Sequence, residues 1–394
     1  MFTVATQAQL EASIWYFGRN AGLDFRSGAP TALTDGALAT DEGCASIADG
    51  FGNLLLYTDG ITVWNRNHQI MPNGTGLLGH DNSTQTALIV PQPNTPNIYY
   101  IFTVDAQAGP NGMHYSVVDM DLDGGLGDVT SVKNVRLMVQ SNERLTAVQH
   151  SNGTDIWLIA HPWDSNDIYA YAISDTVLNP TPVRSPTPLR FENPPNSTGT
   201  NASVGQMKVS PDGSKLALCS DTMGVFLFDF DSATGTIGNM RQISPRLNAY
   251  GVEFSPSSNR LYATITVPRS YNHELFQYNL QALDIPASET LIGYEFGIGF
   301  ALQLGIDGKI YGATGSRDFL YSIENPNALG TACNFVYRSV DLGGRVARGG
   351  LPPFIQSFFN VELDIRNLCL GDVTEFYANP SEPIVSVLWD FGDG

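Results

Sequence analysis

Short apolar runs alternate with polar turns along most of this chain. In the clearest cases a polar turn leads into an apolar run, at residues 210–218, 255–263 and 305–313. These stretches begin 45 and 50 residues apart, which is the length of one four-stranded blade of a β-propeller. The spacing therefore predicts a repeat protein whose repeating unit is a blade.

An apolar run before each turn predicts the inner strand of a blade. Aligning the turns gives six such strands, at residues 44–47, 86–90, 145–150, 206–210, 251–255 and 301–305. Second strands follow at residues 53–57, 98–104, 155–160, 215–218, 260–264 and 309–313. No segment combines the 3.6-residue periodicity of a helix with helix caps. The chain is therefore predicted to be all-β.

The two chain ends are predicted to share a seventh blade. Residues 14–17 and 23–25 form two short aromatic strands without an inner strand, and residues 354–358 could supply it. Such a blade would close the ring and leave no free sheet edge. We expect a seven-bladed β-propeller, closed by N- and C-terminal strands, over residues 9–359. A proline-rich stretch at 179–195 is expected to be a surface loop or an arm between blades.

The sequence changes character at both ends of this region. Residues 1–8 are similar to the end of a secretory signal peptide, although a charged start and an apolar centre are absent. Residues 360–394 contain strand-like runs of a different module. Because a β-sandwich needs roughly 80–100 residues, we expect only its N-terminal part here, at the front of a longer protein.

Composition supports this architecture and argues against two kinds of partner. The 394 residues include 39 Gly and 23 Pro, which suits many strands joined by turns. The net charge is −19, from 20 Lys and Arg against 39 Asp and Glu. Such a surface repels nucleic acid and anionic lipid. No run of about 18 apolar residues is present, so we expect no direct membrane insertion.

The four cysteines divide into two pairs by their surroundings. Cys44 and Cys219 lie in strand-like runs and are predicted to be small buried hydrophobes. Cys333 and Cys369 flank the predicted domain junction. A disulfide between them would gain ~3–4 kcal/mol in the chain-entropy model. Sequence alone does not fix connectivity, so a disulfide and two free thiols both stay open.

Motifs at several positions resemble one known group of proteins. Trp-Asp-Phe-Gly-Asp-Gly at 389–394 resembles the signature of PKD-type Ig-like domains. Trp-Tyr-Phe-Gly at 15–18, Val-Trp-Asn-Arg-Asn-His at 63–68 and Met-Pro-Asn-Gly at 71–74 are similar to the propeller module of large secreted surface proteins of Bacteroidetes. Those proteins are often labelled gliding-motility-associated. The resemblance covers about residues 14–394.

This resemblance implies a propeller followed by the start of a PKD (Ig-like) β-sandwich. It also implies a secreted or surface-displayed protein, exported by type IX secretion, with an adhesive or binding role. The family usually carries a C-terminal sorting domain, which this sequence lacks. No catalytic residues carry over from it.

Polar and aromatic residues are densest in the segment 59–86, and a smaller group near residue 161 follows the predicted second strand at residues 155–160. Aromatic rings, amides, Arg and His together can stack on and hydrogen-bond a sugar or a peptide. The predicted ligand-binding residues are Asp59, Trp64, Asn65, Arg66, His68, His80, Gln85, His161 and Trp163. The alternative is structural, with the amides serving turns, Trp64 packing on its blade and the histidines bonding backbone carbonyls.

A calcium loop is the one metal site that the sequence suggests. Asp119, Asp121 and Asp123 alternate before Gly124, as in loops that bind calcium through carboxylates and turn sharply at Gly. The expected Glu at the twelfth position is Thr130, so an acidic hairpin turn is the competing interpretation. No other cofactor is predicted.

Matched positions of three inner strands carry Lys208, Glu253 and Gln303. If these side chains face inward, the channel is polar, and Lys208 and Glu253 would pair between neighbouring blades. No nucleophile elbow, phosphate loop or zinc motif is present.

We therefore expect a non-catalytic cell-surface module that binds a glycan or a surface protein in adhesion. Two alternatives stay open. One is a polysaccharide-acting propeller hydrolase or lyase, with carboxylates in the channel. The other is a structural subunit of a surface filament or sheath, which would assemble with other surface subunits.

Overall fold

The computed structural model of this chain contains seven antiparallel sheets arranged in a ring. It describes residues 3–6, 10–193, 201–267, 270, 272–359, 361–366, 375–380 and 387–390. The sheets follow one another along the chain. Each sheet contacts the next through its inner strand, and the last sheet meets the first through their outer strands. The protein is therefore an all-β, seven-bladed β-propeller, as the spacing of the turns predicts.

The first three blades differ in strand number. Blade 1 has three strands, blade 2 has four, and the third strand of blade 3 pairs with two short outer strands. The strands are, in blade 1, Ile14–Phe17, Ala21–Asp24 and Thr31–Leu33; in blade 2, Ala45–Ala48, Leu54–Thr58, Thr62–Asn65 and Ile70–Thr75; in blade 3, Ala87–Pro91, Ile98–Val104, Met113–Asp119, Asp128–Val129 and Val135–Met138.

Blades 4 to 7 each have four strands. These strands are, in blade 4, Ser141–Gln149, Ile156–Pro162, Ser165–Ile173 and Val183–Phe191; in blade 5, Met207–Val209, Lys215–Ser220, Gly224–Asp231 and Thr236–Ser244; in blade 6, Ala249–Phe254, Arg260–Ile265, Asn272–Asn279 and Thr290–Phe296; in blade 7, Leu302–Leu304, Ile310–Gly312, Phe319–Ile323 and Phe335–Asp341. Each of the six predicted inner strands overlaps the first strand of a four- or five-stranded blade.

The helices of the described residues are short turns of 3-10 helix. They are Leu10–Ala12, Ala106–Ala108, Asp123–Gly125, Pro286–Ser288, Gly330–Cys333 and Gln356–Phe359. In this part of the chain, no helix is long and apolar enough to cross a membrane.

The repeated turns have a common geometry that explains their sequence. In blade 5, Ser210 accepts the backbone N–H of Lys215 through its hydroxyl at 2.9 Å, and the Ser255 hydroxyl accepts the equivalent N–H of Arg260 in blade 6 at 3.1 Å. The fourth residue of the turn has a positive φ, +69° at Gly213 and +76° at Gly308. Glycine adopts this conformation without steric cost.

Blade 1 differs from its prediction in one strand. Residues 351–355 have no strand pairing, and Gln356–Phe359 is a 3-10 turn, so the expected inner strand at 354–358 is wrong. The segment nevertheless crosses the ring, because Gly349 donates to the Asp41 carbonyl at one face and Ser357 accepts from the Gln149 N–H at the other. Phe354 lies against Trp15, with ring centroids 6.0 Å apart.

The proline-rich stretch also differs from its prediction. Val183–Phe191 is the outer strand of blade 4 rather than a loop or an arm, and it includes Pro186 and Pro188. An outer strand pairs on one side only, so proline, which lacks a backbone donor, can occupy it.

Two further pairs of strands lie outside the blades. Thr3–Thr6 pairs with Val387–Asp390, and Val361–Arg366 pairs with Glu375–Pro380. The signal-peptide assignment and the sandwich domain both stay predictions. The Phe-Gly-Asp-Gly part of the PKD-like motif lies outside the described residues.

The inner strands hold a buried ion pair between blades 5 and 6. Lys208 Nζ lies 2.9 Å from Glu253 Oε2, and both side chains are 0% exposed. Lys208 also donates to Gln303 of blade 7. Burial lowers the pKa of Lys208 and raises the pKa of Glu253, while their mutual attraction opposes both shifts. The polar, paired interior expected from the matched positions is therefore confirmed.

This pair predicts a large loss of stability when one partner is removed. Lys208→Met leaves the Glu253 carboxylate buried without a counter-charge, so the free energy of unfolding should fall by about 3–5 kcal/mol in urea titrations. Lys208→Met combined with Glu253→Gln should recover part of that loss, because no charge is then left buried. Asp164→Asn at the exposed Arg190–Asp164 pair is the control and should cost at most about 1 kcal/mol. Equal losses at the two pairs would contradict the assignment.

Candidate functional site

The two faces of the ring have different connections. We call the face that carries the turns between inner and second strands the turn face. The opposite face, which carries the connections from each blade to the next, is the linker face. The channel between them is filled by side chains, because Gln206, Lys208, Glu253 and Gln303 are each at most 1% exposed. A ligand would therefore meet the protein at one of the channel mouths.

The linker-face mouth is closed by the connection that enters blade 3. Thr84 donates to Glu143 Oε2 of blade 4 through its backbone N–H at 2.9 Å and through its hydroxyl at 2.8 Å. Gln85 accepts the Met207 N–H of blade 5 at 2.8 Å. The N–H of Gln107 donates to the other Glu143 oxygen at 2.6 Å. These bonds tie blades 3, 4 and 5 together across the mouth.

The turn-face mouth opens into a cleft of about 300 Å³. Residues from blades 2, 3 and 4 line it, together with one residue from each end of the propeller region. The lining residues that carry polar or aromatic chemistry are Glu11, Asp49, Gln92, Asn94, Tyr99, Thr154 and Phe358.

Hydrogen-bonding groups in the turn-face cleft are partly fixed by the turns that carry them. Asp49 accepts the backbone N–H groups of Phe51 and Asn53 at 2.9 and 2.8 Å. Tyr99 makes no side-chain hydrogen bond with the described residues, and its half-buried phenol borders the cleft. Burial and the charges of Glu11 and Asp49 raise the pKa of Tyr99 to about 12, so the hydroxyl keeps its proton.

An exposed aromatic residue directly follows Gly50, which lines the same cleft. Phe51 follows Gly50 in the turn and is 80% exposed. A large apolar side chain held in water is unusual unless it meets a partner. Ring faces, carboxylates and amides together can stack on a sugar ring and bond its hydroxyls.

Burial and the charge of Asp49 raise the pKa of Glu11, which also lines the cleft, and a backbone hydrogen bond opposes that rise.

Three of the predicted ligand residues stabilise blade 2 itself, through hydrogen bonds within turns or through ring packing. Asp59 accepts the N–H groups of Ile61 and Thr62 at 2.9 and 2.7 Å, and Asn65 accepts the N–H of Asn67 at 2.9 Å. Trp64 is 8% exposed and stacks on Tyr57.

The other predicted residues near blade 2 are spread over different surroundings. Arg66 donates to the Gly125 carbonyl of blade 3 at 2.6 Å, and His68 lies 3.1 Å from the Tyr57 hydroxyl. Exposed His80 accepts the Asn82 N–H at 3.1 Å, whereas Gln85 is buried in the linker-face mouth.

His161 and Trp163 lie away from those residues, in blade 4. His161 is 0% exposed, its Nδ1 lies 2.8 Å from Asn142 Nδ2, and its ring packs edge-on against Phe191. Trp163 is half-buried, and its backbone N–H donates to Gln140. The structure does not bring the nine predicted residues into one site, and ligand binding by any of them stays a prediction.

The predicted calcium loop is a turn whose carboxylates point to different partners. Asp119 accepts the Asp121 N–H at 2.9 Å, and Asp121 accepts the Asn97 side chain at 2.8 Å. Asp123 is exposed. Within the described residues, no three His, Cys, Asp or Glu side chains are grouped to hold a metal ion. Calcium binding stays a prediction.

Three of the four cysteines lie within the described residues, and all three are buried. Cys44, Cys219 and Cys333 have no disulfide partner among the described residues. Cys369 lies outside those residues, so the Cys333–Cys369 pairing stays a prediction.

Sequence reasoning missed the turn-face cleft because its parts come from separate turns. Asp49, Asn94 and Thr154 lie far apart in sequence, and each is an ordinary turn residue by itself. The sequence does indicate that their three turns each connect an inner strand to a second strand. Turns of this kind in consecutive blades lie on one face of the ring.

Comparison with known proteins identifies the fold and no more. No protein-family model matches the chain, and no curated protein sequence matches it. A proposed 6-phosphogluconolactonase from Bacteroides fragilis is similar in structure, with a TM-score of 0.51 at 11% identity, over 86% of this chain and 97% of that one. Another from Bacteroides uniformis has a TM-score of 0.48 at 12% identity, over 84% and 98%.

A quinoprotein alcohol dehydrogenase-like protein from Bacteroides thetaiotaomicron also has a TM-score of 0.48 at 12% identity, over 86% of this chain and 78% of its own. The propeller thus has structural neighbours in Bacteroidetes. At this identity they share its fold and imply nothing about its chemistry.

Buried His161 predicts a specific dependence of stability on pH. Burial, and then the charge of fully buried Arg144, lowers the pKa of His161 to about 3. An unfolded chain has a His pKa of about 6.5, so it binds the proton that the folded protein excludes. The free energy of unfolding should therefore fall as the pH drops from about 6.5 towards 3, by up to about 1.4 kcal/mol per pH unit.

His161→Gln should remove this contribution and flatten the pH profile, measured by urea unfolding at several pH values. The same substitution at exposed His80 is the matched control. Parallel losses of stability in His161→Gln and the unchanged protein would contradict the assignment.

Proposed function

We propose that this protein is a non-catalytic binding module of the cell surface, which holds a neutral glycan in the turn-face cleft. The observation that carries the proposal is the cleft itself, an opening of about 300 Å³ lined by Tyr99, whose phenol makes no side-chain hydrogen bond with the described residues, and by Gly50, which directly precedes exposed Phe51. An aromatic platform beside hydroxyl, carboxylate and amide groups is the chemistry that recognises sugars.

Charge favours a neutral glycan over an acidic one. Glu11 and Asp49 line the turn-face cleft, and the whole chain has a net charge of −19. Anionic polysaccharides would be repelled from such a surface. A surface protein that presents a neutral glycan, or an exposed peptide of similar shape, fits the same groups.

Export to the cell surface is proposed on sequence grounds. The motifs at 15–18, 63–68 and 389–394 resemble secreted proteins of Bacteroidetes. We propose with them the PKD-type module, type IX secretion and a role in adhesion.

A binding function is favoured over catalysis in the channel by the state of two carboxylates, Glu253 and Glu143. Glu253 is neutralised by Lys208, and Glu143 is held by donors from Thr84 and Gln107. Neither carboxylate is free to act as a nucleophile or a base on a polysaccharide. A structural subunit of a filament would instead bury the faces of the ring against other subunits.

The proposal predicts that exposed Phe51 contributes directly to glycan binding. A panel of neutral oligosaccharides and polysaccharides, screened on a glycan array with and without calcium, should give at least one ligand. Phe51→Ala removes the stacking surface and should weaken that binding about tenfold, the equivalent of about 1.4 kcal/mol. Tyr99→Phe removes one hydrogen-bonding hydroxyl and should weaken it less.

Leu283→Ala is the matched control, because Leu283 is a fully exposed apolar residue of blade 6, away from the cleft. Products released from any polysaccharide would replace this proposal with the hydrolase or lyase. An empty screen, or equal effects of Phe51→Ala and Leu283→Ala, would overturn it.

A further inference from the structure

A second pocket lies at the linker-face mouth, on the opposite side of the ring from the turn-face cleft. Its volume is about 210 Å³. The side chains that give it its chemistry are Asp41, Glu42, Asn82, Phe300, Ser316 and Arg348. Because no lining residue is shared with the turn-face cleft, the two can be tested independently. We call this the linker-face pocket.

The cations near the linker-face pocket are already paired. Arg348 lies 2.7 Å from Asp41 and donates to the Ser316 hydroxyl at 2.6 Å. Arg19 also pairs with Asp41, at 2.5 Å. Within the described residues, Glu42 forms no ion pair, and the side-chain donor that favours its charged form is the Tyr250 hydroxyl. One acidic side chain of the pocket is therefore left without a counter-charge.

The surroundings of Glu42 oppose its negative charge. Burial, and then the charge of Glu143, raises the pKa of Glu42 to about 8, and the charges of Asp41 and Asp81 act in the same direction. Burial raises the pKa of Glu143 itself, while three hydrogen bonds, from both donors of Thr84 and from Gln107, oppose that rise. A positive charge placed beside Glu42 would relieve this repulsion.

A buried phenol lies between Glu42 and Thr84 without a well-formed hydrogen bond to either. Tyr250 is 8% exposed, and its hydroxyl makes no hydrogen bond of ordinary geometry with the described residues. It lies close enough to Glu42 to favour the charged carboxylate. The Tyr250 ring meets the ring of Phe300, with centroids 5.8 Å apart. A buried hydroxyl without a partner is costly, and a ligand that bonds to it would remove that cost.

We propose that the linker-face pocket binds a primary ammonium group, such as the end of a lysine side chain. Its three N–H donors match the Glu42 carboxylate and the Asn82 amide, which line the pocket, and the hydroxyl of Tyr250 beside Glu42. The Phe300 ring offers a cation a further favourable surface. Arg348 does not compete for Glu42, because Asp41 and Ser316 hold it.

Binding is coupled to the loss of a proton. With a pKa of about 8, about nine-tenths of Glu42 is protonated at pH 7, so each ammonium that binds releases about 0.9 proton. The affinity should rise about tenfold between pH 7 and 9 as Glu42 ionises, while an alkylammonium with a pKa of about 10.4 keeps its charge.

Isothermal titration calorimetry with n-butylammonium tests the proposal. Titrations near pH 7 in phosphate and in Tris, whose ionisation enthalpies differ, measure the protons released. 1-Butanol, which is the neutral analogue, should bind at least about tenfold more weakly. No binding of n-butylammonium, equal binding of 1-butanol, or binding without proton release would each overturn the proposal.

Three variants locate the effect. Glu42→Gln should abolish proton release and weaken n-butylammonium binding at least about tenfold. Tyr250→Phe should weaken binding but keep proton release, because Glu42 is still present. Glu192→Gln makes the same chemical change at an exposed carboxylate and should leave both unchanged. If Glu42→Gln fails to fold, the affinity of the unaltered protein at pH 7 and 9 still decides, and an affinity that does not rise would overturn the proposal.

Discussion

Each inner strand of the ring pairs with a second strand on one side and has no strand on the other. Its inward backbone donors and acceptors would be left without partners in a channel closed to water, at a cost comparable to a lost hydrogen bond for each. Side chains from neighbouring blades meet this need. Gln206 accepts the N–H groups of Val252 and Leu302 at 3.2 and 2.9 Å, and Glu253 accepts that of Leu304 at 3.1 Å.

The polar interior is thus a substitute for missing strand pairing, and this determines where a ligand can bind. A channel filled by these side chains has no room for substrate, so recognition is confined to the mouths. The two mouths differ because different segments close them. The turn-face mouth is bordered by Phe358 and by the turns of three blades, whereas the linker-face mouth is closed by hydrogen bonds from Thr84 and Gln85.

The sequence predicted those features that local chemistry determines. A serine opens the turns at 210 and 255 and marks the end of each inner strand, because the turn needs a hydroxyl acceptor and, three residues later, a positive φ, which Gly213 and Ser258 adopt. Matched positions in these strands then placed Lys208 opposite Glu253. Residues 354–358 were wrongly expected to form a strand, because an apolar run specifies burial but not a pairing partner.

The candidate sites were harder to predict for a related reason. Polar residues cluster where turns are tight, so Asp59 and Asn65 stood out although they bond their own turns. Asp49, Asn94 and Tyr99 are brought together only by the curvature of the ring. No count of local polar density reveals a site whose parts come from different blades.

The acidic residues at the channel differ in whether the protein itself supplies a partner for the carboxyl group. Glu253 has a cation, Lys208, within 2.9 Å, and Glu143 has three donors at 2.6 to 2.9 Å. Both carboxyl groups have partners inside the protein, and these contacts hold neighbouring blades together. Glu42 has no cation beside it among the described residues, and burial raises its pKa to about 8 although the Tyr250 hydroxyl opposes the rise. Of these three residues, Glu42 is therefore the one whose ionisation a bound cation would change, and it lies at the linker face.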